Sequence, residues 1–435
     1  MSKFPSDWSF EPLGKGCKVQ GGFAFKSRDY TKNGNGVPII KIGDLQNGRV
    51  HVGEKSTRVP EEFLDDRNLA KFLLEDGDIL IAMTGATTGK IGRYDRASSG
   101  TAYLNQRVGR FVVDGERFHQ EFIQFLTQTE VFQQRIQENI LAAAQGNISP
   151  KKLEGIPIPL PPLSEQKNIA HILSTVQRAI EAQERIIQTT TELKKALMHK
   201  LFTEGISRSG GKPQKQKQTE IGPVPESWEV VDLGDVINLF AGYAFKSKEG
   251  VPESNTQLLR MGNLYQNTLD LSRKPIFYPD SFAEDHRRFV LKEGDMVMSL
   301  TGTSGKEDYG FTVQIPRTEK TLLLNQRVTR IDITDDRLHK DFAHHFLLSR
   351  KFLDFLYPTA KGMKQANLST NAMKKLKVVL PDPGEQKEIA TCFKSLDQKV
   401  VVAGNKVAAL QDLFRTLLHE LMTAKTRVHK LDTSI

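Results

Sequence analysis

The sequence predicts an α+β protein made of two copies of one mixed unit, each copy ending in a long helix. Sequence blocks recur in the same order at a spacing of about 220 residues, which indicates an internal duplication. Short apolar runs broken by Gly, Pro and Asn predict strands in the first part of each copy. A stretch with apolar residues at alternating three- and four-residue steps closes each copy, and this spacing is typical of a coiled-coil helix.

Six pairs of blocks carry the duplication. Chance does not place six matched blocks in the same order, and a repeat of roughly 200 residues is a duplicated domain and not a solenoid. The pairs are GGFAFKS (21–27) and AGYAFKS (241–247), IKIGDL (40–45) and LRMGNL (259–264), EDGDILIAMTG (75–85) and KEGDMVMSLTG (292–302), LNQRV at 104–108 and again at 324–328, GNIS (146–149) and ANLS (366–369), and PLPPLSEQKNIA (159–170) and VLPDPGEQKEIA (379–390).

The first part of each copy is predicted to be dominated by antiparallel strands. Residues 79–83 (ILIAM) and 296–300 (MVMSL) follow a Gly-Asp turn and have the composition of buried strands. Residues 108–113 (VGRFVV) and 328–333 (VTRIDI) predict a further strand in each copy. Residues 119–140 have the aromatic and aliphatic spacing of a helix.

The second part of each copy is predicted to be one long helix. The first runs from about residue 165 to 202 without Gly or Pro, and the second from about 385 to 426 with only Gly404 inside. One such helix would expose its apolar seam, so we expect the two helices to bury their seams against each other. The alternative is that each helix packs on its own globular domain. The seam residues are Leu173, Val176, Ile180, Ile187, Leu197 and Leu201, interrupted by Gln183, Thr190 and Lys194, in the first helix, and Phe393, Leu396, Val400, Ala403, Val407, Leu410, Phe414, Leu417 and Leu421 in the second.

These elements divide the chain into five predicted segments. Between the two copies lies a Gly-, Lys- and Gln-rich stretch that predicts a flexible linker. The segments are a first mixed domain at 1–160, a central long helix at 161–205, the linker at 206–226, a second mixed domain at 227–380, and a C-terminal long helix with a tail at 381–435.

The composition of the chain limits the classes of function that it can have. The chain has 61 Lys and Arg against 52 Asp and Glu, a formal charge of +9, which permits nucleic-acid binding without requiring it. No apolar run reaches the ~18 residues of a membrane span, and the first ten residues lack the apolar core of a secretion signal. The two cysteines, Cys17 and Cys392, offer neither a disulfide framework nor metal-ligand spacing, so we expect a reducing, cytoplasmic location.

The sequence contains no recognisable catalytic motif. GATTGK at 85–90 has three residues between its glycines where a Walker A loop needs four, and Ile91 follows where Ser or Thr is required. The PD at 381–382 and the EQK at 385–387 resemble a nuclease motif, but their spacing is too tight for one metal ion and favours a helix cap. The histidines show no zinc-type clustering. We therefore predict neither a catalytic nor a metal-binding residue.

The Asn-Gln-Arg triplets at 105–107 and 325–327 have two open interpretations. These residue types make bidentate contacts to base edges, but they also form internal polar networks, with Arg107 and Arg327 reaching phosphates at most. Identical recurrence favours the network, because residues that are the same in both copies cannot read two different sequences. Stretches that differ between the copies are better candidates for base recognition, namely 29–37 against 248–257, 46–71 against 265–289, and 86–102 against 303–321.

The ordered motifs resemble the specificity subunit of type I restriction-modification systems over essentially the whole chain. In that family each mixed domain is a target recognition domain that reads one half of a bipartite DNA site. The resemblance implies that the paired helices form an antiparallel coiled-coil spacer and dock two methyltransferase subunits, and that restriction/translocase subunits join this core. It rests on W-x4-L-G at 8–14 and 228–234, G-[FY]-A-F-K-S, G-D-[IM]-[LV] with T-G, L-N-Q-R-V, and the EQK-x-I-A that opens each long helix.

The resemblance also implies a division of labour between subunits. This chain is expected to bind double-stranded DNA without catalysing a reaction and without a cofactor or membrane contact. S-adenosylmethionine, ATP and Mg are expected only in the partner subunits of an assembled DNA adenine methyltransferase and ATP-dependent endonuclease. A stand-alone DNA-binding or scaffold protein of the same fold is the alternative, and the missing motifs disfavour an enzyme in its own right.

Two sets of residues are candidates for these roles. The partner-docking candidates are Ile169, Leu173, Ile389 and Phe393 on the long helices. The DNA-binding candidates are Lys26, Ser27, Arg28, Lys90, Arg93, Arg107, Lys246, Ser247, Lys248, Lys306, Arg327 and Lys364.

Overall fold

The computed structural model of the chain consists of two compact units, which are described separately. The first unit comprises Met1–Glu184 together with Asn405–Ile435, and the second comprises Arg185–Gly404. Both units combine helices with mixed β-sheets, which confirms the predicted α+β class and the duplicated mixed domain. The residues that the structure describes are 4–31, 34–141, 146–207, 214–362 and 365–430.

The strands of the first unit form three sheets. In chain order they are β1 (Ser9–Pro12), β2 (Cys17–Gly21), β3 (Val37–Ile40), β4 (Leu45–Gln46), β5 (Gly48–Val50), β6 (Arg58–Val59), β7 (Ile79–Ala82), β8 (Ile91–Arg93), β9 (Tyr103–Leu104), β10 (Val108–Val113) and β11 (Pro157–Leu160). The sheet orders are β2-β10-β7-β8-β5-β4, β6-β3-β9 and β1-β11. The predicted strands at 79–83 and 108–113 are therefore neighbours, β7 and β10, and most pairs are antiparallel as expected.

The strands of the second unit repeat the main part of this plan and add two short strand pairs. They are β12 (Gln216–Thr219), β13 (Gly222–Pro225), β14 (Glu229–Asp232), β15 (Ile237–Ala241), β16 (Thr256–Leu259), β17 (Phe277–Tyr278), β18 (Val290–Leu291), β19 (Met296–Ser299), β20 (Thr301–Thr303), β21 (Thr312–Gln314), β22 (Thr321–Leu324), β23 (Val328–Ile333), β24 (Gln365–Asn367) and β25 (Lys377–Leu380). The sheet orders are β15-β23-β19-β21, β17-β16-β22-β18 and β14-β25, and the two added pairs are β12-β13 and β20-β24. Glu229 pairs with Leu380 as Ser9 pairs with Leu160, so the duplication preserves strand register.

Short helices complete both units, and two long helices follow the mixed domains. The helices are α1 (Arg96–Ser99), α2 (Gln120–Leu126), α3 (Glu130–Leu141), α4 (Pro150–Glu154), α5 (Leu163–Glu204), α6 (Leu233–Val236), α7 (Ser281–Asp285), α8 (Lys340–Leu347), α9 (Arg350–Leu356), α10 (Thr370–Lys374) and α11 (Pro383–Met422).

The prediction of one continuous helix over 119–140 is wrong, because α2 ends before α3 begins. The Thr129 hydroxyl donates to the carbonyl of Leu126 (2.7 Å) and accepts from the backbone N–H of Phe132 (3.3 Å). One side chain thus satisfies a backbone carbonyl at the end of α2 and a backbone N–H at the start of α3. The apolar spacing of the sequence does not reveal this break.

The predicted flexible linker at 206–226 is partly ordered. Strands β12 and β13 form an antiparallel hairpin within it, and Val224 is buried in the core of the second unit. The prediction is therefore wrong for 216–225, where a buried apolar side chain and a strand pair oppose free movement. Residues 208–213 lie outside the described part of the chain.

Each long helix contributes one segment to each unit. In the first unit, Ile169 and Leu173 of α5 share a core with Leu421 and Met422 of α11. In the second unit the end of α5 meets the start of α11. There the ring of Phe202 stacks on that of Phe393 with a centroid distance of 5.4 Å. Both cores also contain side chains of the mixed domain, so the segments pack on each other and on their own domain.

A buried glutamate anchors the start of each long helix. Glu165 Oε2 accepts from the indole N–H of Trp8 (3.0 Å), and Glu385 Oε2 accepts from that of Trp228 (3.0 Å). Asp382 Oδ1 also accepts from the backbone N–H of Glu385 (3.1 Å), which supports the helix-cap interpretation of the PD…EQK motif.

The remaining partners of the two glutamates differ. In the first unit, Glu165 binds the guanidinium of Arg427 (2.8 Å) and the backbone N–H of Val428 (3.2 Å), both from the C-terminal tail. In the second unit, Glu385 instead accepts from the backbone N–H of Ile206 (2.7 Å) and the amide of Gln214 (2.9 Å). The C-terminal tail therefore takes the place that the segment after α5 takes in the other unit.

Candidate nucleic-acid interface

Four recurring blocks meet in the first unit through backbone hydrogen bonds. The N–H of Phe23 donates to the carbonyl of Leu104 (2.9 Å), and the N–H of Met83 donates to that of Arg107 (3.0 Å). The N–H of Ile148 donates to the carbonyl of Met83 (3.0 Å). The GGFAFKS, MTG, LNQRV and GNIS blocks, which are distant in sequence, are therefore adjacent.

The second unit contains the same set of bonds. Tyr243 N–H donates to the Leu324 carbonyl (2.9 Å), Leu300 N–H to the Arg327 carbonyl (2.9 Å), and Leu368 N–H to the Leu300 carbonyl (2.8 Å). We call the adjacent blocks in each unit the block junction, defined as 21–27, 83–85, 104–108 and 146–149 in the first unit and 241–247, 300–302, 324–328 and 366–369 in the second.

A glycine makes the closest approach within each block junction possible. A Cβ atom on Gly22 would lie 2.3 Å from the carbonyl oxygen of Leu104, and one on Gly242 would lie 2.1 Å from that of Asn325. No side chain fits at these distances, which explains why both copies carry glycine there.

The asparagines of the Asn-Gln-Arg triplets hold the loop itself. Asn105 Oδ1 accepts from the backbone N–H of Arg107 (3.3 Å), and Asn325 Oδ1 accepts from that of Arg327 (3.1 Å). This geometry supports the internal-network interpretation for the asparagines. The arginines point into solvent, so their guanidinium groups are accessible to a ligand.

The DNA-binding candidates lie on the surface of their units. The first GGFAF run is followed by Lys26, Ser27 and Arg28, and its copy by Lys246, Ser247 and Lys248. Both groups therefore lie at the end of a block-junction segment. Arg93 is half-buried on β8, and Lys364 lies outside the described residues. The candidates with exposed side chains are Lys26, Ser27, Arg28, Lys90, Arg107, Lys246, Ser247, Lys248, Lys306 and Arg327.

Most of these cations form no ion pair in the part of the chain that the structure describes. Within the ranges that the structure describes, Arg28 approaches Asp29 at 3.7 Å, whereas Lys246, Lys248, Lys306 and Arg327 form no ion pair with their charged ends. Exposed cations without acidic partners attract phosphate groups, because little desolvation or partner exchange opposes the contact.

The four partner-docking candidates are core residues instead, so that prediction is wrong. Ile169 and Leu173 are buried in the first unit, and Ile389 and Phe393 are buried in the second. A side chain already surrounded by its own unit has no surface to offer a second chain. The apolar helical pattern marked the internal face of each helix and not an external one.

The comparison of the two copies within the sequence did not single out a group of surface residues in the second unit. Tyr243 is 42% exposed, and its ring lies 4.9 Å, centroid to centroid, from the ring of His286. Arg287 and Arg288 follow directly and are exposed. His286, Arg287 and Arg288 fall in the divergent stretch 265–289. A residue-by-residue alignment of this stretch with 46–71 would have identified them.

The described residues contain no group of three or more His, Cys, Asp or Glu side chains that could hold a metal ion. In those same ranges no helix is both long enough and apolar enough to cross a membrane. Cys17 and Cys392 are both free, and burial raises the pKa of the Cys17 thiol to about 12, so it stays protonated.

Comparisons with known proteins agree with the fold. The family model for the type I restriction modification DNA specificity domain matches residues 5–191 and 225–410. The chain is 29% identical to the type I restriction enzyme MjaVIII specificity subunit of Methanocaldococcus jannaschii, over 99% of this chain and 95% of that one. It is 22% identical to the EcoBI specificity subunit of Escherichia coli, over 96% and 86%.

A solved structure has a similar fold. The crystal structure of the type I restriction-modification S subunit from M. genitalium aligns with a TM-score of 0.57 at 16% identity, covering 96% of this chain and 98% of that one. The similarity therefore extends over both units.

Proposed function

The chain belongs to the family of type I restriction-modification DNA specificity proteins, and on that premise we propose that each of its two units reads one half of a bipartite DNA site. The related chains are specificity subunits, which are non-catalytic, and catalysis lies in the methyltransferase and restriction subunits. In this proposal the chain selects the DNA sequence, and its partners methylate or cut.

The observation that carries the proposal is the duplicated block junction. Each unit presents exposed, unpaired cations at a set of backbone hydrogen bonds, and loops of different sequence follow the junction blocks in the chain. Phosphate contacts by shared cations fix the position of a protein on DNA, while variable side chains read bases. Two such surfaces in one chain suit a site with two different halves.

We assign the long helices two tasks in this proposal. They set the number of base pairs between the half-sites, and they dock two methyltransferase subunits. The residues suited to docking are the exposed apolar side chains on the outer faces of the helices, which replace the buried candidates named above. These are Leu193, Val401 and Val402 in the second unit and Leu413 in the first.

The proposal extends to cofactors and location. S-adenosylmethionine, ATP and Mg bind in the partner subunits, restriction/translocase subunits join the methyltransferase core, and the complex works on chromosomal and invading double-stranded DNA in the cytoplasm. The isolated chain accordingly transfers no methyl group when it is incubated with S-adenosylmethionine and DNA.

A domain exchange tests the proposal. Residues 1–160 are replaced by the equivalent domain of a relative, the chain is expressed with its methyltransferase partner, and methylated adenines are mapped across the host genome by single-molecule sequencing. We expect one half of the methylated motif to change and the other to stay. The reciprocal exchange of 227–380 is the matched control and should change the other half. A change in both halves from one exchange contradicts the proposal.

A further inference from the structure

The two units differ in polarity at two neighbouring positions, one within the block junction and one packed against it. Tyr243 of the second unit replaces Phe23 of the first, and His286 replaces Leu69, since 286–289 (HRRF) aligns with 69–72 (LAKF). Leu69 is buried and Phe23 packs on Phe72 at 5.5 Å, so the first unit has an apolar patch at this place. The second unit presents two polar aromatic rings there.

The ring of Tyr243 is held rigidly while its hydroxyl is free. Its backbone N–H and carbonyl both bond to the LNQRV block, through Leu324 (2.9 Å) and Gln326 (3.0 Å). Its ring packs against Phe245 at 4.9 Å and Phe289 at 5.2 Å as well as against His286. Within the described residues the hydroxyl forms no hydrogen bond, and Tyr243 as a residue is exposed.

Cations flank the segments that carry Tyr243 and His286 in the sequence. Lys246 and Lys248 come shortly after Tyr243, and Arg287 and Arg288 follow His286. Arg327 follows Gln326, whose backbone N–H bonds to the carbonyl of Tyr243. Arg288 also lies over the ring of Phe240 at 4.8 Å, which restrains its direction. Phosphates held by these cations would bring base edges to the two polar rings.

We propose that Tyr243 and His286 are specificity-determining residues that contact base edges in the half-site read by the second unit. The inference rests on the proposed function and names the side chains that carry it out there. The phenol can donate and accept a hydrogen bond, and so can the neutral imidazole, so the pair can distinguish bases by their donor and acceptor patterns. Phe23 and Leu69 offer no such group, so the first unit reads its half-site with other residues.

Rigidity favours a role in base reading over general DNA attraction. A tyrosine whose ring and backbone are fixed loses little conformational freedom when it binds, so its hydroxyl discriminates between bases. The lysines and arginines nearby have long flexible side chains and contribute attraction that depends on salt and not on sequence.

The test uses the double variant Tyr243→Phe/His286→Leu, which gives the second unit the side chains of the first. The full chain is assembled with its methyltransferase partner, and the complex selects duplexes from a random-sequence library at fixed salt. Loss of one or two base-edge hydrogen bonds should reduce discrimination at one or two positions of the second half-site by about 10- to 100-fold. The first half-site should be unchanged.

Two control variants separate this result from other causes. Tyr357→Phe removes the same hydroxyl from a half-buried tyrosine of the same unit that packs on Tyr309 at 5.2 Å, outside the block junction, and should leave the motif unchanged. Arg327→Ala should weaken binding to all sequences and reduce the salt dependence, without changing the motif. Thermal unfolding of each variant checks that the fold is retained.

The outcomes are distinguishable. If the wild-type complex selects no bipartite motif, the proposed function fails. If it selects one and the folded double variant selects the same motif with the same discrimination, only the present inference is overturned. If the double variant loses affinity for every sequence equally, the pair contacts the DNA backbone and not the bases.

Discussion

At the residue scale, Glu165 is a buried charged group of the first unit with several hydrogen-bond partners. It is 1% exposed and accepts hydrogen bonds from Trp8, Arg427 and the backbone of Val428. Burial raises the pKa of this carboxyl, but these hydrogen bonds outweigh burial and hold the pKa below its ordinary value of 4.5. The ionised form is therefore part of the folded structure.

We expect Glu165→Gln to destabilise the first unit by about 2 kcal/mol, because it removes the charge from the buried partner of Arg427 and leaves only the exposed Asp7 as its ionic partner. The chain has two tryptophans, one at each glutamate, so urea unfolding followed by fluorescence in Trp228→Phe and Trp8→Phe backgrounds reports each unit separately. Glu385→Gln is the matched control, since Glu385 accepts from Trp228, Ile206 and Gln214, which are uncharged donors. An equal loss from both substitutions would show that the charge on Arg427 contributes nothing.

The same group predicts how stability depends on pH. Because the pKa of Glu165 is lower in the folded chain than in the unfolded chain, its contribution is complete above about pH 4.5, the unfolded value, and is lost as the pH falls toward the folded pKa. Unfolding of the first unit measured between pH 7 and pH 3 should show this loss in the wild type. In the Glu165→Gln variant the unfolding free energy of the first unit should fall less steeply as the pH decreases. The same pH dependence in the variant and the wild type would contradict the assignment.

At the element scale, the long helices α5 and α11 each continue from one unit into the other. If they set the spacing between half-sites, their length should control it. One heptad inserted after Ala182 and one after Gly404 keep the apolar seams in phase. Seven residues at about 1.5 Å each add ~10 Å, which corresponds to roughly three base pairs at ~3.4 Å per step.

We expect the double-insertion variant to methylate a motif whose spacer is longer by one to three base pairs, with some loss of activity. The loss is expected because DNA rotates by about 100° over three base pairs, which turns the second half-site away. Methylation mapping in a host that expresses the variant measures the spacer. Insertion of two residues at each place is the control and should disrupt the seams and lower stability. An active heptad variant with an unchanged spacer would exclude the helices as the spacing element.

The elements also show what could be predicted from the sequence. The strands at 79–83, 108–113, 296–300 and 328–333 were predictable because their buried positions carry mostly apolar residues and the duplication gave each one an independent copy. The break between α2 and α3 was not, because it depends on one hydroxyl, that of Thr129. The docking residues were misassigned because an apolar helix stripe looks the same in sequence whether it faces its own core or a partner.

For the candidate interface, the sequence identified the cations but not their arrangement. The block junction depends on hydrogen bonds between backbone groups, such as Met83 with Arg107, which no side-chain pattern encodes. The pair Tyr243 and His286 was hidden for the same reason, since 243 and 286 are brought together only by the fold.

At the scale of the whole molecule, the first unit is built from both ends of the chain. Val428 is buried in its core, and Asn168 donates to the carbonyl of Val428 at 2.8 Å. The second unit is a single continuous stretch, Arg185–Gly404. Loss of the C-terminal tail should therefore affect the unit that lies first in sequence.

We expect truncation after Ala424 to destabilise the first unit by on the order of 3 kcal/mol, because Glu165 and Asn168 lose buried partners at once. The second unit should unfold at an unchanged urea concentration. The measurement is again tryptophan fluorescence, with Trp228 as the internal control for the intact unit. Destabilisation of both units by the same amount would contradict their independence.

The discontinuous first unit also determines the order in which the protein is completed during translation. Domains usually fold as they leave the ribosome, the N-terminal one first. Here the N-terminal domain emerges early, but its core is incomplete until Leu421, Met422 and Val428 have been synthesised. The second unit is therefore complete before the first. A premature stop in the part of the last helix beyond Gly404 spares the later-coded unit and leaves the earlier-coded one open, with its apolar core exposed to proteases.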